Sequence, residues 1–282
     1  MFHNNLTVFS TLACFVILLA CFEVAYSVSF DKEITLTSKE KASLEDFKRL
    51  MIPKIPESSY VYKFANDDLY LLKWLQASDF NVKNTEKLLT KHLEWRAKEN
   101  IDTIDTEDWE DFRREHPFYI NTVDKQGRPL AEFWLTDWNI RKSVLAGKLN
   151  QISRSMVYCM ETQTRQLFET REKGSNITQA TLLMDLEGVN IIQHICPSCL
   201  PVYVSIATNL EAHYPFLWNR IYLMNMPASF EPIVRLVRPI MRQSTRSSLK
   251  SYGNKEQWLP LLDETIDKNQ RSLRFGGTLT RE

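Results

Sequence analysis

The sequence predicts an α/β fold, a mostly parallel sheet covered by helices, preceded by a small all-α module. Three observations carry that expectation. Up to about residue 115 the apolar residues recur at three- and four-residue spacing between polar caps, which is helical periodicity. Beyond it, short apolar runs alternate with long helical stretches, and strands joined by helical crossovers make a largely parallel sheet. Near the C-terminus, Phe230–Lys250 sorts its side chains onto two opposed faces, as a helix lying on an apolar interior does.

The chain opens on residues 1–27, which read as a targeting segment. Leu6–Phe22 is apolar apart from hydroxyl residues, and Ala25-Tyr26-Ser27 places small residues where a signal peptidase needs them, so cleavage after Ser27 is expected. No Lys or Arg precedes the run, and about 17 apolar residues is the lower limit for a bilayer span, so a retained anchor through residues 6–22 is the other reading. The expected location is therefore secreted or the secretory-pathway lumen. Membrane anchoring, or a cytoplasmic location if the segment is not a working signal, are the alternatives.

Residues 28–37 read as a polar linker and residues 38–115 as the helical module. Ser38–Ile52 carries Leu44, Phe47, Leu50 and Met51 at helical spacing, and Pro53 and Pro56 end it. Asn66-Asp67-Asp68 caps a second helix bearing Leu69, Leu71, Leu72 and Leu75. A third, Asn81–Lys98, buries Leu88, Leu89, His92, Leu93 and Trp95, and a short acidic helix at Glu107–Glu115 stops before Pro117. Residues 116–282 form the second domain. Its strands are expected at Phe118–Thr122 and Leu130–Leu135, joined by a turn at Asp124–Pro129, then at Ala180–Leu186 and Arg220–Asn225. Its helices are expected at Lys142–Glu172 and Cys199–His213, followed by the two-faced segment.

Composition removes several classes of function. The 282-residue chain is 44% hydrophobic with formal charge zero; losing residues 1–27 deletes only Glu23, leaving 35 basic against 34 acidic residues. That balance excludes a nucleic-acid binder working through bulk electrostatics. With seven Gly and no glycine-rich phosphate loop, no nucleotide cofactor is expected. His3, His92, His116, His194 and His213 form no metal-ligand spacing, and no catalytic constellation is evident, so neither metal nor enzyme chemistry is expected. Cys14 and Cys21 fall in the targeting segment, leaving Cys159, Cys196 and Cys199. Cys196-Pro197-Ser198-Cys199 has the spacing of a lumenal redox pair, and equally of a local disulfide. Asn176-Ile177-Thr178 is a glycosylation acceptor triplet. Asp185-Leu186-Glu187-Gly188 closes a strand and reads first as a turn.

In the two-faced segment, Ile233, Leu236, Val237 and Ile240, flanked by Val234 and Met241, gather on one side. Arg235, Arg238, Arg242, Arg246 and Lys250 gather on the other. Such a helix suits a lid that covers an apolar cavity and meets a phosphate-covered surface, and it suits an ordinary surface helix on a solid core. The segment alone leaves both open.

The order of motifs is more specific. DDLYLLKWLQASDFNVKNTEKLLTKHLEWR, DKQGRP, MDLEG, HYPFLWNRIYLMNMP and RFGGT follow one another over residues 40–280, and this succession resembles the CRAL-TRIO lipid-binding family, which includes phosphatidylinositol-transfer proteins and tocopherol and retinal carriers. The resemblance implies a lipid pocket floored by the sheet and closed by a mobile gate helix at about 228–250. Phe230, Ile233, Val234, Leu236, Val237, Ile240 and Met241, with Phe216, would line it. Arg235, Arg238, Arg242, Arg246 and Lys250 would face an anionic membrane. The implied function is non-enzymatic transfer of a hydrophobic ligand by a monomer. Phosphoinositide-transferring members carry Glu where this chain has Phe216 and Lys where it has Ser248. Ala180 and Leu182 stand where those members place hydroxyls, and Gln76 or Ser78 where they place a basic residue. The expected ligand therefore lacks a phosphoinositol head group.

Overall fold

The computed structural model describes residues 36–281. The targeting segment, its cleavage site and residues 28–35 of the linker lie outside the described residues. Helix α1 (Ser38–Met51) starts at Thr37, whose hydroxyl accepts from the Glu40 N–H while the Glu40 carboxylate accepts from the Thr37 N–H. Asp67 caps α2 (Asp68–Gln76) by accepting from the Leu69 and Tyr70 N–H groups, and Asn81 caps α3 (Val82–Lys98) by accepting from that of Asn84. Phe47, Met51, Leu71, Leu75 and Leu89 meet in a core shared by these three helices. The acidic helix is short, α4 (Glu110–Glu115).

Two strands follow, β1 (Phe118–Val123) and β2 (Pro129–Trp134), paired antiparallel across a turn in which the Asp124 carboxylate accepts from the Gln126 and Arg128 N–H groups. The helix expected over Lys142–Glu172 is two helices, α5 (Ile140–Leu145) and α6 (Leu149–Glu172). Gly147 separates them at φ +77°, a left-handed turn that a side chain would strain. Then come β3 (Ala180–Asp185), the single turn α7 (Ile191–His194), α8 (Leu200–His213) and β4 (Trp218–Met224). Among the described residues the sheet has five strands in the order β1-β2-β3-β4-β5, with β5 at Leu249–Ser251, and every pair after the first is parallel. Asp185 ends β3 in the expected turn: its carboxylate accepts from the Glu187 N–H and the Asn225 side-chain amide.

Period-two alternation gives the sheet two apolar faces. On one, Leu130, Trp134, Leu183, Tyr222 and Met224 pack on Trp258 and Leu262 of α11 (Lys255–Thr265) and on Phe275. The chain end wraps this side, and a Cβ on Gly277 would collide with the Arg271 carbonyl, so RFGGT carries its second glycine for a steric reason. The opposite face lies beneath α6 and α8.

The segment 228–250 departs from the single gate helix that its pattern predicts. It contains α9 (Glu231–Val237), a turn over residues 238–242, α10 (Gln243–Ser248) and then β5. Pro239 is the reason, because it has no N–H to donate to the carbonyl of Arg235 and its ring crowds that carbonyl.

Candidate functional site

Between the sheet and the helices α6, α8 and α9 lies a cavity of about 130 Å³. Strand register builds its floor in two rows. Phe133, Met184 and Leu223 sit side by side across β2, β3 and β4, and Leu182, Ile221 and Leu249 across β3, β4 and β5. Helix α8 is apolar on several sides because it packs α6 with one and lines the cavity with another. Met156, Cys159 and Met160 of α6 complete the side wall.

The roof is α9. Phe230, Ile233, Val234, Val237 and Met241 line the cavity, and the Phe230 ring meets Tyr203 of α8 edge-on at 5.8 Å between centroids. Three residues expected with them lie elsewhere. Leu236 is 38% exposed, because at about 100° per residue it points about 110° away from the centre of the arc formed by the inward side chains. Ile240 falls in the turn after the helix break and is half-buried off the cavity wall. Phe216, at φ +55°, lines a separate recess of about 20 Å³ with Ser244, Thr245 and Ser248.

The basic residues divide as well. Arg235, Arg238, Arg246 and Lys250 are exposed, but Lys250 sits on the edge strand β5, paired with Tyr222, rather than on a helix. Arg242 is turned inward, donating to the Glu211 carbonyl and, at 2.9 Å, to its carboxylate. It ties the turn to α8. Cys196 and Cys199 are joined, S–S 2.08 Å, at the start of α8, and both are buried. Asn176 is exposed, while Thr178 of the same triplet is buried.

Among the described residues, no group on the cavity wall carries charge. Burial raises the Tyr203 phenol and the Cys159 thiol above their ordinary pKa values, and every other wall residue is non-ionisable. Sequence periodicity missed most of this wall, namely the α6 and α8 residues and the strand rows. The alternation Leu182-Met184 and Ile221-Leu223 was the available signal, but it marks a buried face without saying whether that face is covered tightly.

The second notable site is a polar seam where α3 meets α6 and the end of α8. Arg96 donates to the Glu161 carboxylate at 3.0 and 2.7 Å and, through Nε, to Asp102 at 2.8 Å; the Tyr214 hydroxyl donates to Glu161 at 3.1 Å. Nearby, Arg171 makes two bonds to Asp67, at 2.8 and 2.7 Å. His92 and His213 place their Nδ1 atoms 3.3 Å apart, so one must donate to the other, and the His213 ring stacks on Trp95.

Residues 113–277 match the CRAL/TRIO domain. The chain belongs to the CRAL/TRIO domain family. Two relatives named SEC14 cytosolic factor extend the likeness to the helical module. The one from Kluyveromyces lactis is 26% identical over 253 residues, covering 86% of this chain and 79% of the relative. The one from Eremothecium gossypii is 24% identical, covering 86% and 77%. The solved structure titled Sfh5 shares the fold at a TM-score of 0.68 and 16% identity, covering 87% of this chain and 89% of that one. The CRAL/TRIO relatives correct one expectation: both are cytosolic factors, which overturns the secreted or lumenal location read from the N-terminus. That reading rested on apolar length and small residues alone, which a segment with no basic residue before the run shares with other apolar stretches. Among the described residues, no helix is long and apolar enough to cross a membrane.

Proposed function

We propose that this CRAL/TRIO protein is a cytosolic carrier that holds a hydrophobic lipid or lipophilic small molecule in the cavity beneath α9 and moves it between membranes without covalent chemistry. The observation that carries this reading is the uncharged, apolar wall of the cavity, closed by a helix only two turns long. An apolar cavity of about this size stays dry and accepts a guest of about six carbons, so in this reading a whole lipid chain fits only as α9 moves outward. A chain of about 16 carbons loses roughly 12 kcal/mol if stranded in water, at about 0.8 kcal/mol per CH₂, so a carrier must pass it from bilayer to protein without an aqueous step. In this reading residues 38–115 are a supporting module and residues 116–282 the lipid-binding domain. Helix α9 is the part of the roof that opens, pivoting on the turn at Pro239. Phe230, Ile233, Val234, Val237 and Met241 contact the ligand. Arg235, Arg238, Arg246 and Lys250 meet anionic head groups. The thiol–disulfide alternative draws no support from the CRAL/TRIO family match.

The test is organic extraction of the purified full chain, followed by mass spectrometry, with uptake of labelled lipid from vesicles as the second arm. A copurifying lipid near one per protein is the expected result. Absence of extractable lipid together with no uptake from any vesicle would overturn the reading.

A further inference from the structure

Resting on the carrier reading, we propose that the cavity selects ligands whose buried length carries no oxygen, and tolerates wide variation in their shape. The heteroatoms of the wall explain the first half. Trp138 lines the cavity but its indole N–H donates outward to the Pro117 carbonyl at 2.9 Å. The Trp218 N–H donates to the Gln163 side chain at 2.7 Å, and the Tyr203 hydroxyl to the His194 carbonyl at 2.8 Å. Each ring therefore offers the cavity its carbon face while its donor is used elsewhere. Among the described residues, the thiol of Cys159 is the one remaining side-chain donor on the wall, and a thiol donates weakly.

A ketone, ester or ether oxygen buried there would lose its water and gain nothing in exchange. Such unpaired burial costs about 1–3 kcal/mol, which is roughly 5- to 150-fold in affinity. A polar group at the end of the ligand escapes this penalty by remaining at the mouth. The wall thus reads the uninterrupted apolar length of a ligand rather than its head.

The second half follows from what fills the wall instead. Met156, Met160, Met184 and Met241 line the cavity on three of its sides. Unbranched thioether side chains adjust their rotamers at little cost, so a bend or branch in the ligand is accommodated by repacking.

The experiment presents the delipidated full chain with vesicles carrying matched pairs: octadecanoic acid against 10-oxo-octadecanoic acid, and a C30 isoprenoid hydrocarbon against its mid-chain alcohol. Protein is re-isolated and retained lipid is measured by mass spectrometry. The expected result is retention of the oxygen-free member at least about fivefold above its partner, with cis-unsaturated and branched isomers of the fatty acid within about threefold of the straight chain. Cys159→Ser, which places a stronger donor on the wall, is expected to narrow the gap for the keto acid. Equal retention of both members of each pair overturns this inference and leaves the carrier reading standing. Retention of no member of any pair overturns both.

Discussion

The cavity beneath α9 and the seam between α3 and α6 are both buried, yet their walls are opposite in kind. In the cavity every ring donor faces away and the surface offered is hydrocarbon and thioether. In the seam, Arg96, Glu161, Asp102 and Tyr214 satisfy one another directly, at one geometry. Apolar contact is non-directional, so a cavity built from it can be emptied and refilled without breaking any single bond. Buried ions are directional and costly to separate. The difference teaches why one region suits a changing occupant and the other suits a permanent joint: in the proposed reading the seam holds residues 38–115 on residues 116–282 while the roof opens.

The sharpest way to break that contrast is to strand a charge in the seam. Glu161→Ala leaves the Arg96 guanidinium buried without its main partner and is expected to cost about 3–5 kcal/mol in denaturant unfolding. Glu161→Gln, which still accepts from Tyr214, should cost less. If both variants unfold like the parent chain, the seam is not the joint described. Filling the cavity should do the reverse. Ala207→Phe, on α8, pushes a ring into existing space, so lipid uptake is expected to fall tenfold or more while stability changes by less than about 1 kcal/mol.

The seam should also respond to pH where the cavity does not. Burial, with Arg96 beside it, lowers the His213 pKa to about 4, and burial, Arg96 and His213 hold His92 well below its ordinary value. The unfolded chain therefore takes these protons first. Stability from the pair is complete above about pH 6.5, the ordinary value, and is lost progressively as the pH falls toward about 4. His213→Asn should flatten the pH dependence of the unfolding midpoint in that window; an unchanged slope would remove the pair from the account. The smallest effects belong to the surface. In the proposed docking role each of Arg238 and Arg246 contributes about 1 kcal/mol or less against anionic head groups, so replacing both with Gln should slow transfer from anionic vesicles a few-fold, less in salt. Arg242→Gln should instead loosen the turn over Glu211, lowering the unfolding midpoint without changing the salt dependence of transfer.

The elements were legible because their signals are local. Thr37 and Glu40, Asp67, Asn81, and the turn at Asp124 each act within four residues of themselves. The α/β class followed from the alternation of those elements. Of the candidate site, the inward arc of α9 was legible for the same reason, since Ile233, Val234 and Val237 lie within about one turn of each other. Leu236 and Ile240 were placed on that arc because an unbroken helix gives them a shared apolar stripe. The break at Pro239 ends the stripe, and the packing of α9 turns Leu236 outward.

What the sequence by itself determined, then, is the kind of most segments, the family its motifs belong to, and which side is apolar where the element is unbroken. What only the tertiary structure decided is what those sides meet: Arg96, polar on paper, is buried because Glu161 arrives 65 residues later, and Arg242 leaves the basic face because Glu211 is within reach. The same packing left a void between sheet and roof instead of a solid core. Periodicity reports spacing along one element, whereas a partner or a void exists only where distant elements come together, and their separation is set by the side chains of all of them at once.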